Sequence, residues 1–198
     1  MSISCFIVHS PEESDRAFEA LRSANAVACD TETSGLKAQT AELFSVQFSD
    51  GELNCLVPTS EGVQLGRLAE LLADKSITKI FHNARFDLGF LEHNGYPVKN
   101  VFDTMIAEKV LTKGGDQSAS LAETLYRYFA VDLDKSQRKK FGRSWDRVWT
   151  PELVEYAMKD VAYLPELMKR QIKWMDDLGL RPQYNAQIGK LMTDDEST

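Results

Sequence analysis

One short stretch, residues 27–33 (VACDTET), constrains this chain most, because in it an apolar strand leads directly into two carboxylates. Asp and Glu are poor strand residues and are rarely buried unless they are paired or bind a metal. Side chains two positions apart in a strand point to the same face, so Asp30 and Glu32 project together. Neighbouring carboxylates repel each other unless a cation lies between them. This acidic strand therefore indicates either a metal site or a strand end with two solvated acids.

Composition and the cysteine pattern restrict the class of protein. The chain has 198 residues, of which 43% are hydrophobic, enough for one soluble domain with a substantial core. No apolar run approaches the roughly 18 residues of a membrane span, and the N-terminus does not resemble a signal peptide. Three scattered cysteines match neither a zinc site nor a disulfide framework, so we expect a cytoplasmic protein without membrane association. A net charge of −7 argues against a general nucleic-acid coat but permits a local basic patch.

Hydrophobic periodicity predicts strands mainly in the first half of the chain and helices in the second. The predicted strands are residues 5–8, 27–33, 43–48, 53–57 and 77–81, with a brief extended piece at 101–104. The predicted helices are residues 10–23, 65–72, 84–93, 104–110, 121–129 and a long segment from 150 to about 178. A hairpin at Asp50-Gly51 lies among strand–helix units. We therefore expect one α/β domain, residues 1–198, with a central mixed β-sheet flanked by α-helices and a C-terminal extension at 181–198.

Three side chains further along the chain occur in contexts that suit a site with the acidic strand. Residues 79–87 (KIFHNARFD) lead from a strand into a helix and place Asp87 about one turn inside it. Tyr156 and Asp160 are four residues apart in a helix, so they share a face. A single mid-helix Asp is ordinarily a surface charge, and only the combination of these residues favours a site.

The combined pattern resembles the DEDD superfamily of 3′–5′ exonucleases. The matching motifs are Asp30-x-Glu32, then His82-Asn83-x-x-Phe86-Asp87, then Tyr156-x-x-x-Asp160, whose Tyr marks the Tyr-bearing branch. Residues 102–107 (FDTMIA), 133–136 (LDKS) and 153–157 (LVEYA) resemble the proofreading domain of family A DNA polymerases. Ribonuclease D and the oligoribonuclease-like enzymes are close alternatives. The resemblance implies a ribonuclease H-like fold and, because the chain stops soon after Leu180, a free-standing exonuclease.

The resemblance also assigns a role to each of the five residues. Two divalent ions can activate water, neutralise phosphate charge and support the leaving oxygen, and oxygen ligands suit Mg²⁺ or Mn²⁺. By resemblance, Asp30 bridges both ions, while Glu32 and Asp160 complete the site that activates water. Asp87 holds the second ion largely through waters. Tyr156 orients the attacking water, since a phenol with a pKa of about 10 is a poor base at pH 7.

Further residues are candidate substrate contacts. They are Thr31, Leu36, Asn83, Phe86, Lys139, Lys140 and Arg143. By resemblance, Asn83 and Phe86 lie near the terminal nucleotide, and Leu36 is an apolar wedge between the last two bases. From the residues alone, Asn83 could equally cap a helix and Phe86 could belong to the core.

A basic segment at residues 135–147 supplies the three cationic candidates. Such a segment suits either a phosphate backbone or a solvated face. Trp145 and Trp149 within or beside it can either stack on bases or anchor the loop on the core. We expect His82 to be a packed residue at the end of its strand. Asp103 either supports the site residues from behind or caps the helix that starts at Thr104, and the structural role is favoured.

The sequence leaves three functions open. The first is a metal-dependent 3′–5′ exonuclease that acts on single-stranded 3′ ends and releases nucleoside 5′-monophosphates, with DNA favoured because residues 30–36 (DTETSGL) resemble polymerase proofreading domains. The second is a ribonuclease D-like or oligoribonuclease-like RNA exonuclease. The third, a non-catalytic binding module, is disfavoured because it gains nothing from buried acids near phosphate. A separate polymerase is a possible partner, and the oligomeric state is left open.

Overall fold

A computed structural model describes residues 5–133, 140–142 and 144–194 of the chain. The strands are β1 (Phe6–Ile7), β2 (Ala26–Thr33), β3 (Leu43–Ser49), β4 (Asn54–Val57), β5 (Thr78–Phe81) and β6 (Val101–Asp103). The helices are α1 (Pro11–Leu21), α2 (Leu68–Ala73), α3 (Ala84–His93), α4 (Thr104–Leu111), α5 (Leu121–Phe129), α6 (Pro151–Ala162), α7 (Leu164–Asp177) and α8 (Arg181–Asp194). Within these described ranges, no helix has both the length and the apolar character needed to cross a membrane.

The acidic strand is β2, which lies inside a six-stranded sheet of order β1-β4-β3-β2-β5-β6. β2 pairs antiparallel with β3, where Asp30 lies opposite Gln47, and parallel with β5, where Ala28 lies opposite Ile80. The register between β2 and β3 shifts after Glu32, so regular pairing ends just beyond the two acids. The mixed sheet predicted from the embedded hairpin is confirmed.

Helices cover both faces of the sheet, and β2 contributes to the core on each side. Val27 and Cys29 pack in the cluster that α1, α2 and α3 complete. Ala28 packs in the second cluster, formed with α6 and α7. Successive strand residues alternate between the two faces of the sheet. Asp30 and Glu32 therefore point to the same face as Ala28, where α6 lies, whereas Thr31 points to the same face as Cys29, where α3 lies.

The predicted helix from 150 to about 178 is wrong in one respect, since the structure contains two helices, α6 and α7, separated at Tyr163. Pro165 lies in the first turn of α7. Proline has no N–H to donate and restricts the residue before it, so it favours the start of a new helix. The break lets α6 pack on β2, β3 and β4 while α7 packs on α4.

Within the segment 181–198, expected as an extension, Arg181–Asp194 form the helix α8. Tyr184 and Leu191 of α8 are buried in the core. The Tyr184 ring lies 4.8 Å from that of Phe102 on β6, measured between centroids. Helix α8 therefore covers the end of the sheet at which β6 lies.

Candidate active site

A single cavity of about 400 Å³ brings the predicted acids and Tyr156 together. Its walls also include four of the predicted substrate contacts and four further residues. The complete lining is Asp30, Thr31, Glu32, Leu36, His82, Asn83, Phe86, Asp87, Met105, Ser120, Leu121, Tyr156 and Asp160. Met105, Ser120 and Leu121 were not predicted, because neither their residue types nor their spacing indicates chemistry.

Three carboxylates form the tightest part of this site. Oxygen atoms of Asp30, Glu32 and Asp160 all lie within 4.8 Å of one another. The first two come from β2, and Asp160 comes from α6, which packs on the same face of the sheet. An all-oxygen donor set of this size suits a hard divalent cation such as Mg²⁺ or Mn²⁺.

Asp87 reaches the cavity from the opposite face of the sheet, on α3, and is outside that group of three. Its side chain is 2% exposed. The Thr31 hydroxyl donates a hydrogen bond to Asp87 Oδ1 at 2.7 Å. Thr31 thus supports Asp87 as well as lining the cavity, and its residue type alone did not indicate the contact with Asp87.

Asp30 and Asp87 are held where ionisation is unfavourable in the absence of a cation. Burial raises the pKa of Asp30 well above its usual range, and the charges of Asp87, Asp160 and Glu32 raise it further. Burial also raises the pKa of Asp87 to about 7, although the Thr31 hydrogen bond opposes the shift. A bound divalent cation would reverse this penalty, so the residues fit a metal site.

Asn83 begins α3 in an unusual conformation. Its backbone is left-handed, with φ 73° and ψ 52°, and its side chain makes no capping hydrogen bond. The Asp103 carboxylate accepts instead from the N–H groups of Asn83 and Ala84, at 3.2 and 2.8 Å. Asn83 lines the cavity, and the helix-cap alternative for its side chain is wrong.

The two ring side chains of the motif at residues 82–87, His82 and Phe86, also pack or hydrogen-bond within the protein. His82 Nδ1 lies 2.8 Å from Thr104 Oγ1, and burial lowers the pKa of His82 to about 4, so the ring is neutral at pH 7. Phe86 packs on Phe90, with ring centroids 5.0 Å apart, while it also lines the cavity. Leu36 is 80% exposed at the cavity.

The loop before α6 contacts the site through aromatic packing. Phe141 lies 6.0 Å from Tyr156 and 5.5 Å from Trp149, measured between ring centroids. Trp145 packs edge-on against Phe44 of β3 at 4.9 Å. Both tryptophans therefore anchor the loop on the protein.

Of the three basic candidates, Lys140 alone falls within the described residues. Lys140 is exposed and lines a separate cavity of about 440 Å³ with Trp145 and Leu153. Lys139 and Arg143 lie outside the described residues.

The fold and the site together define a class of protein. A mixed sheet whose central strand carries two acids, completed by acids from helices on both faces, is the architecture of a ribonuclease H-like exonuclease. Residues 5–172 match the 3′–5′ exonuclease family. The chain belongs to this family, whose DEDD members use divalent metals, and the resemblance inferred from the motifs is confirmed.

Curated relatives include both ribonucleases and a DNA polymerase. Ribonuclease D of Bartonella henselae is 31% identical over 173 residues, a match that covers 81% of this chain and 41% of that protein. DNA polymerase I of Aquifex aeolicus is 29% identical over 164 residues, covering 82% of this chain and 26% of the polymerase. The chain thus spans less than half the length of these relatives.

Solved structures show the same fold. Brucella melitensis NrnC bound to pGG is 33% identical, with a TM-score of 0.77, covering 88% of this chain and 84% of that one. NrnC has also been solved with bound Mg²⁺. Escherichia coli RNase D is 26% identical, with a TM-score of 0.86, covering 99% of this chain and 52% of that one.

Proposed function

We propose that this protein is a metal-dependent 3′–5′ exonuclease that shortens single-stranded RNA and releases nucleoside 5′-monophosphates. The observation that carries the proposal is the group of Asp30, Glu32 and Asp160, whose oxygens lie within 4.8 Å of one another in an open cavity. A protein that only binds nucleic acid would be weakened by such acids, because they repel phosphate. Membership of the exonuclease family supports the same reaction class.

The metal site of this proposal is built from the four acids. Asp30, Glu32 and Asp160 would hold one divalent ion, and Asp30 with Asp87 would hold a second. When bound, such a pair of ions activates water and neutralises charge on the phosphate. The NrnC structure with Mg²⁺ supports Mg²⁺ as the natural ion, with Mn²⁺ as a substitute.

The remaining cavity residues hold the substrate and the attacking water. The Tyr156 hydroxyl orients that water through a hydrogen bond, a role that needs no ionised phenol. Asn83 offers an amide to the sugar or phosphate of the terminal nucleotide, and Phe86 offers a ring for packing. Leu36, which is largely exposed, separates the last two bases. Lys139, Lys140 and Arg143 remain candidate phosphate contacts further along the strand.

RNA is preferred to DNA as the substrate in this proposal. The Bartonella henselae relative is a ribonuclease D, and NrnC was solved with pGG, which favours short RNA strands. DNA, favoured by the motif at residues 30–36, remains the second candidate because a DNA polymerase I is also among the relatives. The two substrates differ at the ribose 2′-hydroxyl, which a nuclease can accept or refuse.

Matched strands test the function and the substrate in one experiment. Purified protein is incubated with 5′-labelled RNA and DNA of one sequence, two or about twenty nucleotides long, with Mg²⁺, Mn²⁺ or chelator. We expect RNA to shorten by one nucleotide at a time with either metal and to stay intact in chelator. Asp30→Asn should abolish turnover, because that carboxylate would help to hold both ions.

Other outcomes identify the alternatives. Faster shortening of DNA would support the second candidate. Fragments from a circular strand would contradict the exonuclease assignment, because a circle offers no 3′ end. Activity in chelator, or in Asp30→Asn, would contradict the metal site.

We also propose that residues 5–194 form a single exonuclease domain, since α8 packs on the core that the other helices share. A cytoplasmic location is supported by Cys5, Cys29 and Cys55, which are all free thiols, as a reducing compartment favours. The separate polymerase partner considered from the sequence gains no support from these relatives.

A further inference from the structure

The buried carboxylate of Asp103 joins the beginnings of two helices beside the cavity. Its Oδ1 accepts hydrogen bonds from the N–H groups of Met105 and Ile106 in α4, at 2.8 and 3.1 Å. The same oxygen accepts from the Asn83 N–H at 3.2 Å, and Oδ2 accepts from the Ala84 N–H at 2.8 Å. Asp103 is 2% exposed, so these bonds are shielded from water. One side chain therefore caps α3 and α4 together.

Helix α3 depends on this external cap. The residue at its own N-cap position, Asn83, makes no side-chain capping bond and has a left-handed backbone. That conformation is uncommon for residues other than glycine, and although Asn tolerates it better than most, a constraint from the surroundings helps to hold it. The bonds from Asp103 to the N–H groups of Asn83 and Ala84 supply that constraint.

The consequence reaches two side chains of the cavity. Because Asp103 caps the helix, the Asn83 side chain is not used for capping, and Asn83 is one of the residues that line the cavity. Asp87 lies in the first turn of α3, so the position of its carboxylate follows the position of the helix start. Its other constraint is the hydrogen bond from Thr31.

The backbone of Asp103 is fixed from the opposite side. Its N–H donates to the hydroxyl of Tyr184 in α8 at 3.0 Å. The Tyr184 ring packs on Phe102, the preceding residue. A rigid support of this kind is what a residue needs if it is to hold another group in place.

We propose that Asp103 is a positioning residue of the active site, which sets Asn83 toward the terminal nucleotide and Asp87 toward the metal site. The inference rests on the proposed exonuclease function. Asp103 acts through α3 and does not itself touch the reacting atoms.

Two substitutions separate the cap of α3 from the cap of α4. In Asp103→Asn, one oxygen can still face the three donors now bonded to Oδ1, but the amide nitrogen then meets the Ala84 N–H and cannot accept from it. In Asp103→Ser, the hydroxyl is as good a cap for α4 as a carboxylate but is too short to reach α3. Both variants therefore keep α4 capped and weaken the hold on α3. Either one, once shown to fold by circular dichroism, is sufficient for the test.

The test measures metal binding as well as turnover. Residues that orient metal ligands typically contribute about 10- to 100-fold to metal affinity or activity. We expect both variants to bind Mn²⁺ about 10- to 100-fold more weakly, as measured in a titration followed by electron paramagnetic resonance. We expect kcat to fall as the Mn²⁺ affinity falls. KM should rise as well, because Asn83 is displaced.

Ser10→Ala is the matched control. Ser10 caps α1 through the Glu13 N–H, so the control loses a helix cap that lies outside the cavity. It should lower the melting temperature while Mn²⁺ affinity and kcat stay at wild-type values.

Wild-type Mn²⁺ affinity and wild-type kcat in a folded Asp103 variant would overturn the positioning role. If the wild-type protein cleaves no strand, the proposed function fails instead. The Mn²⁺ titration then still decides whether Asp103 positions the acids.

Discussion

Tyr156 and Asp160 lie one turn apart on α6, but the proposed chemistry gives them different tasks. Tyr156→Phe keeps the ring and its packing on Phe141 and removes only the hydroxyl. Positioned acid–base groups contribute about 10²- to 10⁴-fold to the rate. We expect kcat, measured by single-turnover kinetics, to fall by about 10²-fold, the lower of these factors. The Mn²⁺ affinity, measured by titration, should stay unchanged.

Asp160→Asn serves as the comparison, because it should lose metal affinity and rate together. A collapse of Mn²⁺ affinity in Tyr156→Phe would instead place the tyrosine among the ligands.

At the residue scale, the sequence predicted the acids but not how each is held. Asp30 and Glu32 could be predicted because two adjacent carboxylates on a strand require a physical explanation. The Thr31 hydroxyl could not be assigned to Asp87, since that contact joins residues 56 positions apart. Similarly, Asp103 was expected to cap α4, which the structure confirms, but its bonds to α3 depend on tertiary packing.

At the element scale, the contact of α8 with the rest of the protein can be tested at Tyr184, which is 4% exposed. Tyr184→Phe keeps the ring on Phe102 but leaves the Asp103 N–H without its acceptor. An unsatisfied buried donor costs about 1–3 kcal/mol. We expect a loss of this order in the free energy of unfolding, measured by urea denaturation.

Tyr126→Phe is the control, because Tyr126 is 62% exposed and loses only a solvated hydroxyl. Equal stability of Tyr184→Phe and the wild type would show that α8 does not support the junction of β6 and α4.

Element boundaries were predicted well where local signals are strong. Ser10 caps α1 as the sequence indicates, and the hairpin between β3 and β4 turns at Asp50-Gly51. The break between α6 and α7 was missed because the apolar spacing continues across Tyr163, although Pro165 was a visible signal. Helix α8 has little amphipathic pattern of its own, and it is placed by tertiary contacts, with Tyr184 and Leu191 buried and Ile188 and Met192 packed against the core.

At the scale of the whole molecule, the raised pKa values couple stability to pH. Asp87 has a pKa of about 7 in the folded protein against a reference value of 3.8. The folded state therefore holds this proton more tightly than the unfolded state. The stabilisation is fully present below pH 3.8 and is lost as pH rises through 7.

Thermal unfolding in chelator at pH 5 to 8 checks this prediction. Wild-type stability should fall relative to Asp87→Asn as the pH rises, because the amide cannot ionise. Added Mg²⁺ should raise the stability of the wild-type protein most strongly at the high end of this pH range, since metal ligands must be deprotonated. If the melting temperatures of the wild type and of Asp87→Asn changed in parallel with pH, the raised pKa of Asp87 would be contradicted.

The donors of the site come from one strand and from two helices on opposite faces of the sheet, and this distribution has a consequence for synthesis on the ribosome. A growing chain exposes Asp30 and Glu32 early, but it lacks Asp160, the other member of their carboxylate group, until residue 160 has been added. Until α6 docks on β2, these acids are separate solvated charges that hold a divalent ion only weakly. Under the proposed function, the nascent or misfolded chain would be a poor nuclease, and nucleic acid nearby would be spared until the domain is nearly complete.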